Sequence, residues 1–202
     1  MSGLWRMTGL IPEPACAYNF VSMQILSTDR LFLRTWEEND FPLARSLWGD
    51  PDVMAFLGGP LSDEKVREKM RAEMACQERH GVQYWPFFEK ETDEFVGCCG
   101  LRPWAYTPPE GHEIGFHLVK AKWGRGYAFE VAQGVVRHAF ETLQFPMLRA
   151  GHHPEHVNSK KILLELGFEF VNAVFYKPTG LMHPTYQLKK ELAHSRQPAL
   201  HP

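Results

Sequence analysis

From Leu31 to Arg34 apolar and polar positions alternate, the two-residue period of a strand with one buried face. The period then lengthens. Phe41, Ala44, Leu47 and Trp48 recur at helical spacing behind Asp40, a residue type that caps helix starts. Asp50-Pro51-Asp52 breaks this helix, a short one runs to about Leu57, and Gly58-Gly59-Pro60 is a stop. Ser62 caps a longer helix whose first turn holds Asp63 and Glu64, where carboxylates suit the helix dipole. Val66, Met70 and Met74 give it one apolar stripe, and Gly81 ends it. Tyr84 to Glu89 and Phe95 to Leu101 are strand-like runs joined by the polar turn Glu91-Thr92-Asp93-Glu94. A proline-rich loop, Pro103 to Gly111, leads to a strand over His112 to Val119. The most regular helix follows Gly126, with Ala128, Val131, Ala132, Val135, Val136, Ala139, Phe140 and Leu143 on its apolar face. Leu148 to Gly151 is a short strand, and a helix from about His156 to Leu166 stops at Gly167. Phe168 to Phe175 and Pro184 to Leu188 close the pattern as two strands. The elements predict a mixed α/β domain over 23–193 with no internal repeat.

Residues 1–22 fit that domain poorly and read as a disordered leader or a mis-called start, with Met23 as the alternative initiator. Ala15-Cys16-Ala17 resembles a secretory cleavage site, but Pro12, Glu13 and Pro14 interrupt a short apolar stretch. Residues 194–202 read as a disordered tail. A chain of 202 residues is one domain's worth, and 44% apolar with 23% charged residues excludes general disorder. The formal charge of −2, without a basic stripe interleaved with aromatics, argues against nucleic-acid partners and anionic membranes. No apolar run approaches the ~18–20 residues of a membrane helix. Four cysteines without a C-x-x-C pair read as reduced thiols of a cytoplasmic protein, a monomer or a homodimer.

The strongest chemical signal is Trp123-Gly124-Arg125-Gly126-Tyr127-Ala128, between a strand and the most regular helix. Two glycines let the backbone turn tightly and bring N–H groups close to a ligand. The helix start behind them offers unpaired amides and the positive dipole end, a combination that binds phosphates, and Lys122 and Arg125 add positive charge. It is neither a P-loop nor G-x-G-x-x-G, and an ordinary strand-to-helix turn is the competing reading. Glu113 is a candidate proton acceptor, against an edge-strand surface carboxylate. His152, His153 and His156 cluster before a helix, but no Cys or Asp with suitable spacing joins them, so no metal site is expected. His152 and His153, at a strand end, remain candidate bases. Trp36, Trp85, Trp104 and Tyr106, with the segment 56–61, are candidates for lining an acceptor pocket, or for plain packing.

Three stretches in order resemble the GNAT acetyltransferase superfamily, and within it the RimJ/RimL-type N-acetyltransferases. They are Thr28-Asp29-Arg30-Leu31-Phe32-Leu33-Arg34, then Glu113-Ile114-Gly115-Phe116 with Trp123 to Glu130, then Pro154 to Ser159 leading to Leu163-Leu164-Glu165-Leu166-Gly167-Phe168. The resemblance covers about residues 25–190. It implies a mixed, mostly antiparallel twisted sheet flanked by helices with splayed central strands. It implies acetyl-CoA as cosubstrate, its pyrophosphate on the main-chain amides of Gly124, Arg125, Gly126, Tyr127 and Ala128 beside Trp123. The pantetheine arm would enter the splay, with the acetyl carbonyl polarised by a main-chain N–H near Phe116, His117 and Leu118. Glu113 stands where some members keep the base. The acceptor would be a primary amine, either a protein N-terminus or a small molecule, and a non-catalytic acyl-CoA-binding module is the alternative. With no cysteine in the motifs, direct attack is expected. Two positions depart from the pattern. Leu163 stands where many members place a Tyr acid, and His156 where an Asn commonly contacts pantetheine; Asn158 and Ser159 are alternative contacts, or simple caps.

Overall fold

The computed structural model describes residues 23–106 and 111–191. The leader and tail expected at 1–22 and 194–202, and positions 107–110 of the proline-rich loop, lie outside the described residues. The strands are β1 (Gln24–Ser27), β2 (Leu31–Arg34), β3 (Tyr84–Glu89), β4 (Phe95–Pro103), β5 (His112–Leu118), β6 (Met147–Gly151), β7 (Glu169–Tyr176) and β8 (Leu181–Lys189). The α-helices are α1 (Phe41–Trp48), α2 (Pro51–Met54), α3 (Asp63–His80), α4 (Tyr127–Arg137) and α5 (Val157–Glu165). One sheet orders the strands β1-β2-β3-β4-β5-β6-β8-β7, antiparallel except between β5 and β6.

That parallel pair is the architectural event. It holds only at His112–Leu148 and Glu113–Arg149. From Ile114 onward β5 is paired with β4 alone, so a wedge opens between β5 and β6 toward the start of α4.

Strand alternation assigns the two faces of the sheet to different cores. Trp85, Cys99, Ile114 and Leu118 pack with Val131, Val135 and Leu163 on the α4 side. Tyr84 and Cys98 pack with Trp36, Trp48, Val66 and Met70 under α1 and α3.

Local chemistry accounts for most helix ends. Ser62 accepts the Lys65 amide, Gly81 closes α3 at φ +69°, and Gly167 takes φ +88° behind α5. Asp40, however, does not cap α1. Its carboxylate takes two bonds from Arg34, at 2.6 and 2.7 Å, and the Glu37 amide, which leaves nothing for the helix. Asp50 instead caps α2 through the Asp52 and Val53 amides. The long helix after Gly126 is not α throughout. His138–Thr142 forms a π turn, with the Leu143 amide bonded to the His138 carbonyl. The widened turn keeps Ala139 and Phe140 buried. On α3 the inward residue is Glu73 rather than Met74, which is only partly buried. Among the described residues no helix is long and apolar enough to cross a membrane.

Candidate active site

The turn before α4 has the geometry its glycines suggest. Gly124 and Gly126 adopt φ +74° and +78°, conformations costly for any residue with a Cβ. No side chain caps α4, and its first helical bond runs from the Glu130 amide to the Gly126 carbonyl. The amides of Tyr127, Ala128 and Phe129 therefore have no partner inside the helix. A Cβ at Gly124 would meet nothing within 4 Å, so the turn is open on that side. These groups fit a diphosphate.

Arg30 holds the turn from below. It donates to the Arg125 carbonyl at 3.1 Å, pairs with Glu130 at 2.6 Å and lies over the Tyr127 ring at 4.5 Å. Glu130 also accepts the Arg30 amide and the Thr28 hydroxyl. Burial works against ionisation of Glu130, but the bonds from Thr28 and Arg30 hold its carboxyl below the usual range. The Thr28–Arg30 stretch is thus the brace of the α4 turn.

The positive charge expected here is only partly free. Lys122 is buried against Glu89 and Glu94 and is committed to them. Glu89 also accepts the Tyr127 hydroxyl at 2.7 Å. The bonds from Lys122 first, then from Tyr127, bring the Glu89 carboxyl down to about 2. Arg125 is half exposed with Glu89 at 3.8 Å, and is the cation left at the turn. Trp123 is exposed and donates its indole N–H to the Leu118 carbonyl, tying the turn to the end of β5. Tyr127 contributes its backbone, since its side chain is buried in this network.

On β5, Glu113, Gly115 and His117 share the face toward α3, while Ile114 and Leu118 belong to the opposite core with Phe116 packed against it. Glu113 stands at the last paired position before the wedge, half-buried, and accepts the Tyr84 hydroxyl at 2.9 Å. Tyr84, Gly100 and Gly115 lie side by side across three strands. A Cβ at Gly115 would collide with the Tyr84 phenol, so glycine there lets the ring reach Glu113. Burial, then the Glu113 charge, pushes the Tyr84 phenol well above its ordinary value, which keeps it a donor. Trp48 donates to His117 Nδ1 at 3.3 Å. Burial, with Lys69 and Arg102 behind it, brings His117 down to about 3, a neutral imidazole.

At α5, His156 is the cap: its Nδ1 accepts the Ser159 amide at 3.0 Å, and its ring stands edge-on to Phe56 at 4.7 Å. Asn158 is exposed beside it, and neither Asn158 nor Ser159 supplies the cap. Leu163 is buried in the core, so no acid stands at that position. His152 Nδ1 bonds the His153 carbonyl at 2.7 Å, so that nitrogen carries the proton, and Nε2 faces the Tyr186 hydroxyl at 3.4 Å. Trp36 and Trp85 are core residues bonded to the Tyr84 carbonyl and to Gln77, and Trp104 is buried against Tyr106. Of the four aromatics expected at the acceptor side, Tyr106 alone is as open as half-buried. Cys98 and Cys99 are fully buried, and burial raises both thiols.

The sequence did not point to Tyr84, to the Arg30–Glu130 brace, or to Lys69, Glu73 and Arg102 near Glu113. One signal was available: Glu73 lies three residues after Met70, on the same helical face as the apolar stripe.

Residues 30–169 match the model of the acetyltransferase (GNAT) domain. The uncharacterized N-acetyltransferase p20 of Bacillus licheniformis is 30% identical over 179 residues, 85% of this chain and 99% of its own. An acetyltransferase (GNAT family) from Bacillus anthracis superposes with a TM-score of 0.71 at 21% identity, covering 84% of this chain and 99% of its own. RimL, a ribosomal L7/L12 alpha-N-protein acetyltransferase solved in complex with coenzyme A, superposes with a TM-score of 0.69 at 16% identity, covering 83% and 98%. With a wedge after Glu113, an open glycine turn before α4 and a family model spanning both, the chain belongs to the GNAT acetyltransferases.

Proposed function

We propose that this enzyme moves an acetyl group from acetyl-CoA to a primary amine by direct attack, with Glu113 as the base. The observation that carries this reading is the place of Glu113: half-buried, anchored by Tyr84, where β5 parts from β6. The amides of Gly124 to Ala128 receive the diphosphate, and Arg125 adds charge at the rim. Trp123 holds the turn against β5. Main-chain amides near Phe116, His117 and Leu118 face the acetyl carbonyl across the wedge, an oxyanion-type contact. His156, held as the α5 cap, keeps Nε2 for a contact to the pantetheine arm, with Asn158 and Ser159 beside it.

Acetyl-CoA supplies a thioester whose leaving thiolate comes from a thiol with a pKa near ~8.5, so a dedicated acid is helpful but not required. That suits Leu163. An ammonium has no lone pair, and Glu113, directly or through one water, takes the proton that frees it. The buried Cys98 and Cys99, with their thiols raised, support attack by the amine itself over an acyl-cysteine route. Their burial as free thiols also suits a reducing, cytoplasmic setting. The likeness to RimL favours a protein N-terminal amine as acceptor, with a small amine as the second reading.

Glu113→Gln tests the assignment. Turnover, followed by CoA release, is expected to fall about 10²–10⁴-fold. Acetyl-CoA affinity by calorimetry should stay within about twofold, because Glu113 touches no group of the α4 turn. Unchanged turnover would remove Glu113 from the mechanism. Binding without turnover of any amine by the unaltered protein would leave an acyl-CoA-binding module.

A further inference from the structure

Two carboxylates and two cations meet on the α3 side of the sheet, and three of the four are committed. Glu73 has no exposed side-chain surface. It takes the Arg102 guanidinium and accepts the Tyr84 amide at 2.9 Å. Arg102 is spent on Glu73 and lies over the Tyr84 ring at 4.0 Å. Glu113 accepts the Tyr84 hydroxyl.

Lys69, one turn before Glu73, is the exception. Its ammonium comes no nearer than 4.0 Å to Glu73 Oε1, beyond hydrogen-bond reach, and it makes no hydrogen bond to any described residue. It stands 4.9 Å from the centre of the Trp48 ring, with 24% of its side chain exposed. Burial, then the Arg102 charge, lowers it to about 8, while Glu113 and Cys98 are near enough to act in the opposite sense. A cation drawn partly out of water, whose neighbouring carboxylate already serves an arginine, is incompletely satisfied. An arriving anion completes its shell.

We propose that Lys69 binds a carboxylate on the acceptor, so that the enzyme acetylates amines bearing a carboxylate a few bonds from the nitrogen. The inference rests on Glu113 marking the acceptor side. A polyamine fits poorly: it brings a second cation toward Lys69 and Arg102, and Glu73, the carboxylate beside them, already holds Arg102. The carboxylate has two possible sources with one chemistry, the α-carboxylate of a free amino acid or an acidic side chain at the start of a peptide.

The test uses matched pairs: free amino acids against their carboxamides, and short peptides beginning with Asp against the same peptides beginning with Asn. Rates of CoA release are compared per unprotonated amine. In one pair or the other, kcat/KM should favour the carboxylate by at least about tenfold, and the pair that responds identifies the source. Lys69→Met should erase that ratio while leaving the neutral partner's turnover within about threefold, and Lys69→Arg should restore most of it. Melting temperatures of the two variants establish that both are folded. Equal rates within both pairs, or a ratio that survives Lys69→Met in a folded protein, overturn the proposal and leave the transferase reading standing. Acetyl-CoA binding with no turnover of any amine overturns the transferase reading, and this inference with it.

Discussion

Replacing Arg30 by Met should weaken acetyl-CoA binding while leaving every residue proposed to bind it unsubstituted. The guanidinium makes three contacts: the Arg125 carbonyl, the Glu130 carboxylate and the Tyr127 ring. Half of the side chain is exposed, so its ion pair is discounted to about 0.2–1 kcal/mol of stability. The bond to the turn carbonyl adds about 0.5–1.5 kcal/mol. Together they predict a melting point lower by roughly 2–4 °C per kcal/mol lost, a folded protein. The larger consequence is electrostatic. Glu130 lies in the first turn of α4, beside the amides proposed to receive the diphosphate. Without Arg30 it is an uncompensated negative charge. At about 7 Å and an effective dielectric of about 40, each phosphate charge meets roughly 1 kcal/mol of repulsion. Two such charges weaken the Kd for acetyl-CoA about 30–60-fold. Calorimetric titration measures this directly. Adding Glu130→Gln to Arg30→Met removes the stray charge and should recover most of the affinity, to within about fivefold of the unaltered protein, because the turn bond stays lost. A Kd within twofold for Arg30→Met, or a double variant no tighter than the single one, would refute the brace.

Tyr84→Phe removes the hydroxyl on Glu113 and should lower kcat about tenfold while the KM for acetyl-CoA holds, as seen in steady-state CoA release. Gly126→Ala forces a Cβ onto φ +78° at a cost of about 1–2 kcal/mol, and calorimetry should show acetyl-CoA affinity falling with it. His117 is neutral down to about 3 in the folded protein, against about 6.5 when unfolded. Unfolding then takes up a proton below about pH 6.5, so stability is fully present above that value and declines as pH falls toward 3, by up to about 1.4 kcal/mol per pH unit. Denaturant titrations down this range should show the decline, and His117→Gln should flatten it. His156→Ala should cost about 1 kcal/mol through the lost α5 cap, and His156→Asn, an alternative cap, should return most of it in thermal melts.

The elements that could be read from the sequence were those where one local force dominates. α4 announced itself because its apolar residues follow a single period, and α3 because Ser62 and Gly81 mark its two ends. The α4 turn was legible for the same reason: Gly124 and Gly126 are chosen by backbone conformation, a local property. What stayed hidden depends on partners distant in the chain. Asp40 was misread because Arg34 competes for its carboxylate, and Lys122 because Glu89 and Glu94 reach it from another hairpin. Glu73, which the apolar stripe did not single out, is buried, since its partner Arg102 arrives from β4. The π turn at His138–Thr142 leaves almost no trace in periodicity, because its residues still face the core.

The same reasoning explains why Glu113 is where it is. Ile114 and Leu118 must face the α4 core, with Phe116 packed against it, so strand alternation delivers Glu113, Gly115 and His117 to the α3 face as a set. A one-residue slip of β5 would bury Glu113 among Val131 and Val135 and turn Ile114 to the α3 face, at the cost of an unpaired buried carboxylate. The hydrophobic pattern therefore fixes the face, and the short β5–β6 pairing fixes the height at which the wedge begins. Gly115 then has to be glycine, because the phenol that steadies Glu113 must cross β4 and lie on β5. Position and orientation of the proposed base thus follow from packing that would exist without any substrate. The acceptor's identity is proposed to rest on Lys69, whose neighbouring carboxylate, Glu73, stands 4.0 Å away and already holds Arg102.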